Sequence, residues 1–115
     1  MTIFALGINH RTASLDIREK VAFAPEQMKE AIQHASELAE VDELAILSTC
    51  NRTEIYGVSA DLDGGTPGKV LDWLAEYHSL SRLALDDCCY IYQHEDAARH
   101  MMKVASGLDS MILGE

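Results

Sequence analysis

The stretch Ser48-Thr49-Cys50-Asn51-Arg52-Thr53-Glu54 combines residue types that can do chemistry together. It sets a single cysteine, with a cation two residues on, just after the apolar run Leu44–Leu47. The thiolate is the nucleophilic form of cysteine, and partial exposure beside a positive charge favours it. A buried strand opening into a polar loop presents such a thiol to a substrate. In an acyl-transfer reading, Cys50 attacks an activated carbonyl, and Arg52 stabilises the thiolate or holds a carboxylate by bidentate pairing. Thr49 and Asn51 add hydrogen-bonding groups for a carbonyl oxygen or an amine. The competing reading is structural. Cysteine is often a small buried hydrophobe, and Ser48–Thr53 is then a turn whose Asn and Thr satisfy backbone groups, with Arg52 exposed.

His100 is the histidine to single out. It follows the apolar Ala98 and precedes Met101, at the edge of a predicted buried stripe, as a boundary residue or as a proton donor to a leaving oxygen. His10 ends the first predicted strand, on the same sheet edge as Cys50. His34 and His78 are expected on helix surfaces and His94 in solvent at the start of the last helix. No HxxxH or CxxC spacing occurs, so no metal site is expected.

These residues need elements to hold them. An apolar strand is expected over Ile3–Asn9, then a short helix from the N-cap Ser14 to Val21. A second helix starts at Pro25, with Met28, Ala31, Ile32, Ala35, Leu38 and Ala39 as its buried stripe. Leu44–Thr49 and Thr53–Ala60 read as strands, and the short corner between them implies an antiparallel pair. Asp61–Gly68 is a loop whose acids resemble the start of a calcium loop without the downstream ligands. A helix over Pro67–His78, a strand over Cys88–Gln93 and a helix from Glu95 follow. That last helix is expected to turn Ala98, Met101, Met102, Ala105 and Leu108 inward. The order β-α-β-β-α-β plus a C-terminal helix predicts an α+β, ferredoxin-like split βαβ fold, with its helices on one face of an antiparallel sheet.

Composition bounds the function. The 115 residues suit a single domain, which buries roughly two thirds of its unfolded surface. A formal charge of −10 argues against a non-specific nucleic-acid or anionic-membrane binder. A specific site reading one group through an arginine or two remains open. No leader and no long apolar run stands out, so a membrane span or secretion is not expected. Three cysteines, two of them adjacent, suit reduced thiols in the cytoplasm. The chain closes on Ser106-Gly107-Leu108-Asp109-Ser110-Met111-Ile112-Leu113-Gly114-Glu115, an apolar stop that suggests a longer parent protein.

Three motifs together carry a resemblance: Gly7-Ile8-Asn9-His10-Arg11-Thr12-Ala13, the Ser48–Glu54 corner, and the run from Ala105 to Glu115. In order and spacing they resemble the N-terminal catalytic domain of the bacterial glutamyl-tRNA reductase family. The resemblance implies an enzyme that reduces tRNA-bound glutamate to glutamate-1-semialdehyde with NADPH, in the pathway to porphyrins and haem. It implies Cys50 as the nucleophile that takes the glutamyl group as a thioester, and His100 as a second catalytic residue. Thr49, Asn51, Arg52, Ser110 and Glu115 match substrate contacts. It further implies glutamyl-tRNA as partner, a homodimer formed through a domain outside these residues, and transfer of product to glutamate-1-semialdehyde aminotransferase. No Gly-rich dinucleotide fingerprint occurs, so NADPH is expected to bind elsewhere in the longer enzyme. Two other readings compete: an amino-acid-binding regulatory module using the Asn9–Thr12 and Asp61–Gly68 loops, and a purely structural docking domain.

Overall fold

The computed structural model describes residues 2–39, 41–60 and 65–107. Strand β1 (Thr2–Asn9) leads to helix α1 (Leu15–Val21) and, through a 3-10 turn at Pro25–Gln27, to α2 (Met28–Ala39). The hairpin β2 (Glu43–Ser48) and β3 (Arg52–Ser59) follows, then α3 (Thr66–Tyr77), α4 (Arg82–Asp86), β4 (Tyr90–Gln93) and α5 (His94–Ala105). The four strands form one sheet in the order β2-β3-β1-β4, and each neighbouring pair is antiparallel. The α+β class and the antiparallel hairpin are as expected from the sequence.

Local chemistry explains the element starts. Ser14 caps α1 by accepting from the Ile17 amide at 3.3 Å, and Ser81 caps α4 by accepting from Ala84 at 3.1 Å. Pro25 opens a 3-10 turn rather than the α-helix itself. Asn9 closes β1 through its side chain, whose Oδ1 accepts from the amides of Arg11 and Thr12 at 2.9 and 3.1 Å.

Alternation along the strands makes two different faces. Phe4, Leu6 and Ile8 of β1 and Ile55 of β3 point one way and are fully buried against Ala31 and Ala35 of α2 and Val70, Leu71 and Leu74 of α3. Each large side chain buried there contributes about 1.5–3 kcal/mol. Phe23 seals the end of this core: its ring lies 5.9 Å from Trp73, nearly parallel to it, and 4.6 Å from His78. Trp73 in turn donates from Nε1 to Nδ1 of His34 at 3.4 Å.

Residues of opposite parity, Ala5 and Gly7 of β1 with Glu54 and Tyr56 of β3, point to the other face, which α5 covers. This corrects the one-faced arrangement expected from the sequence. The phase of α5 also differs. Ala97 and His100 are its buried residues and Met102 is 66% exposed, because the sheet beneath offers a carboxylate rather than an apolar floor. Leu38, expected in the α2 stripe, is exposed. His78, expected on a surface, is half-buried at the end of α3, and that burial pushes its imidazole pKa down. Leu108 lies outside the described residues.

The trough on the α5 face depends on Gly7. A Cβ there would stand 2.2 Å from the Thr53 carbonyl oxygen and 2.8 Å from Cα of Glu54, both backbone atoms that cannot swing away. Gly7→Ala is expected to lower unfolding stability by about 3 kcal/mol in urea titration. Gly68→Ala, with no atom within 4 Å of the added methyl, is expected to leave it unchanged or raise it by about 1 kcal/mol. Similar losses for both variants would disprove the close-approach argument.

Candidate active site

The β2–β3 corner is braced before any side chain chemistry begins. Thr49 donates its amide to the Arg52 carbonyl at 2.8 Å, while its Oγ1 accepts from the amides of Asn51 and Arg52, both at 3.2 Å. Ser48 Oγ accepts from the Phe23 amide at 2.9 Å and meets Thr53 Oγ1 at 3.3 Å. Arg18, from α1, donates through Nη1 to the Cys50 carbonyl at 3.1 Å. A corner held from both of its strands and from α1 keeps the Cys50 backbone in one place.

Cys50 itself is exposed, whereas Cys88 and Cys89 are half-buried, and all three thiols are free. The Cys50 thiol points toward Asn51 Oδ1 at 3.8 Å. Residue Cys50 lines a cavity of about 310 Å³ with Leu15, Arg18, Glu19, Ala22, Phe23, Ser48 and Thr49. Burial pushes the Cys89 thiol up to about 12, and burial also raises that of Cys88. Only Cys50 therefore combines access with an unburied sulfur.

Arg52 departs from the exposed position that the structural reading gave it. It belongs to β3, is 4% exposed, and points to the α5 face, where Nη1 pairs with Glu54 Oε2 at 3.3 Å. Glu54 is fully buried and is the hub of this face. His100 Nε2 lies 2.6 Å from Glu54 Oε2, and Tyr90 and Tyr56 donate their phenolic hydroxyls to Oε2 and Oε1. Burial alone raises the Glu54 carboxyl pKa, but hydrogen bonds from His100, Tyr56 and Tyr90 outweigh it and hold the group below the usual range. The same burial, reinforced by the carboxylate, drives both phenols well above their ordinary range. An ionised carboxylate only accepts, so the His100 nitrogen facing it carries the hydrogen. Nδ1 is then the nitrogen left for other partners.

Of the residues expected to form a site, Cys50, Thr49 and Asn51 sit on the corner, and Arg52 and His100 meet through Glu54 beneath it. His10 follows β1 next to Asn9, the register partner of Arg52, and so belongs to the same end of the sheet. Ser110 and Glu115 lie outside the described residues. Among the described residues, no cluster of three or more His, Cys, Asp or Glu is placed to hold a metal ion, and no helix is long and apolar enough to cross a membrane. The sequence reading missed Glu54, Tyr56, Tyr90 and Arg18 as parts of the site. A charged residue inside an apolar strand was the available signal for Glu54; Arg18, on a helix surface, offered none.

The architecture is an α+β domain that carries an exposed thiol on a braced hairpin corner, above a buried carboxylate hub. The chain belongs to the glutamyl-tRNA reductase N-terminal domain family, whose profile (glutamyl-tRNAGlu reductase, N-terminal domain) matches residues 6–115. It is 57% identical over 115 residues to the glutamyl-tRNA reductase of Pseudomonas aeruginosa, covering 100% of this chain and 26% of that protein. Identity to the glutamyl-tRNA reductase of Photobacterium profundum is 51% over 115 residues, covering 100% and 27%. The chain thus spans about a quarter of the length of these curated relatives. The solved structure of glutamyl-tRNA reductase from Methanopyrus kandleri superposes with a TM-score of 0.73 at 27% identity, covering 98% of this chain and 24% of that one.

The lowered Glu54 pKa has a pH signature. Stability from this group is complete above the ordinary glutamate range and is lost as pH falls through the lower folded value. Glu54→Gln, which removes the buried charge that Arg52, His100, Tyr56 and Tyr90 share, is expected to cost about 3–5 kcal/mol at pH 7. Urea midpoints measured from pH 7 to pH 3 should fall less steeply for the variant than for the parent. Parallel slopes would contradict the assignment.

Proposed function

We propose that this domain captures glutamate from glutamyl-tRNA on Cys50, as the first half of a tRNA-dependent reduction leading to tetrapyrroles. One observation carries the reading: the exposed thiol of three lies on a corner whose backbone is pinned by hydrogen bonds from Thr49 and Arg18. Pinning matters because a nucleophile held in an attack geometry converts a bimolecular reaction into an effectively unimolecular one.

In the proposed step, Sγ of Cys50 forms a bond to the ester carbonyl carbon, the bond from that carbon to the ribose oxygen breaks, and the thiol proton passes to that oxygen. The product thioester is more electrophilic than the ester, so a hard reduction becomes two easier steps. Thr49 and Asn51 border the reacting carbonyl. Arg52, held in a fixed orientation by Glu54, provides a positive charge beneath the corner for the substrate's carboxylate. His100 orients this assembly through Glu54 and keeps Nδ1 for a proton or a hydrogen bond. Ser110 and Glu115, outside the described residues, are the further substrate contacts of this proposal, with the negative charge of Glu115 suited to the α-ammonium group.

NADPH is the reductant in this proposal, and the described residues do not fit it. The sheet is antiparallel throughout, and β1 ends in an Asn9-capped turn, not a glycine-rich loop opening onto a helix N-terminus. The hydride step is therefore assigned to other parts of the longer enzyme. Dimerisation and delivery of the semialdehyde to its aminotransferase belong there too, in a cytoplasmic setting.

Incubation with labelled glutamyl-tRNA in the absence of NADPH is expected to give a hydroxylamine-sensitive adduct on Cys50, absent in Cys50→Ser. Equal labelling of the two proteins would overturn the proposal. Iodoacetamide at neutral pH is expected to alkylate Cys50 first and Cys89 last, read by peptide mass spectrometry.

A further inference from the structure

The corner has two sides, and the proposed chemistry uses only one of them. Arg52, Glu54 and His100 lie on the α5 face. The cavity that Cys50 borders lies on the α1 side, lined also by Leu15, Arg18, Glu19, Ala22 and Phe23. At about 310 Å³ it falls at the small end of ligand-binding cavities. Ser48, whose side chain bonds Phe23 and Thr53, also lines it.

Arg18 is the cation of this cavity, and its Nη1 donates to the Cys50 carbonyl at 3.1 Å. Glu19 lines the same cavity, and Leu15, 55% exposed, offers an apolar wall at its mouth. A guanidinium, a carboxylate and an apolar wall are what a nucleotide needs: a donor for phosphate, an acceptor for a ribose hydroxyl, and a surface for the base.

We infer that this cavity holds the leaving group, the 3′-terminal nucleotide of the tRNA, with Arg18 at its phosphate and Glu19 at its ribose hydroxyl. The inference rests on the acyl-capture reading above. Displacement at a carbonyl puts the acyl chain and the departing oxygen on different sides of the reacting carbon. With the acyl chain on the α5 side, the nucleotide is left with the α1 side. The cation there suits a polyanion in a chain that is otherwise strongly acidic.

The test separates the nucleotide from the glutamyl group, using the longest natural form of the chain. Capture on Cys50 is measured with glutamyl-tRNA and with a small α-aryl ester of glutamate, for the parent and for Arg18→Gln. Because Arg18 also holds the Cys50 carbonyl, the variant is expected to lose capture rate with both esters, and to lose at least about 10-fold more with glutamyl-tRNA at sub-saturating substrate than with the aryl ester. Adenosine 5′-monophosphate is expected to slow alkylation of Cys50 in the parent and not in the variant. Equal loss with both esters would make Arg18 a support for the thiol and overturn the inference, as would no loss with either. A parent protein that captures from neither ester would sink the acyl-capture reading itself, and this inference with it.

Discussion

A carboxylate with no access to solvent, met by four donors, is the constraint from which the α5 face is built. Glu54 receives Arg52, Tyr56, Tyr90 and His100 on its two oxygens. Taking such a group out of water costs several kcal/mol unless its lone pairs are satisfied, so each donor must be in place. That requirement reaches into four elements. The central strand must be small at Ala5 and Gly7 to leave room, and β4 must present Tyr90 opposite Gly7. Helix α5 must turn a histidine, not a leucine, toward the sheet.

The same constraint reaches the hairpin corner. Arg52 begins β3, so fixing its guanidinium on Glu54 also fixes the strand end two residues from Cys50. On the opposite side, Arg18 and the Phe23 amide hold Cys50 and Ser48 from α1 and the segment after it. The thiol therefore stands at a junction between an apolar core on one face and a polar network on the other. Neither face alone positions it.

What could be read from residues alone follows the range of the physics involved. Helix caps at Ser14, the turn at Asn9 and the tight hairpin are local, and the sequence carries their signals within a few positions. Helix α4 has only five residues, too few for a periodic apolar pattern. The phase of α5 was misjudged because apolar residues were assumed to face inward, whereas a buried carboxylate across the sheet selects His100. Cys50 was readable from its neighbours in the chain. Glu54 left only the trace of a charge within a strand, because its burial depends on a register partner, Gly7, that lies 47 residues away. Arg18 was hidden for a similar reason, its contact with Cys50 spanning 32 positions.

The chain contains one tryptophan, and its surroundings give the molecule an internal optical gauge. Trp73 is 4% exposed and stacks on Phe23, a residue that also lines the cavity beside Cys50. Its indole hydrogen is held by His34. Intrinsic emission should thus register events on the α1 side of the corner while staying blind to the tyrosine-rich α5 side. A single fluorophore can in this way distinguish which flank of the nucleophile a bound molecule occupies.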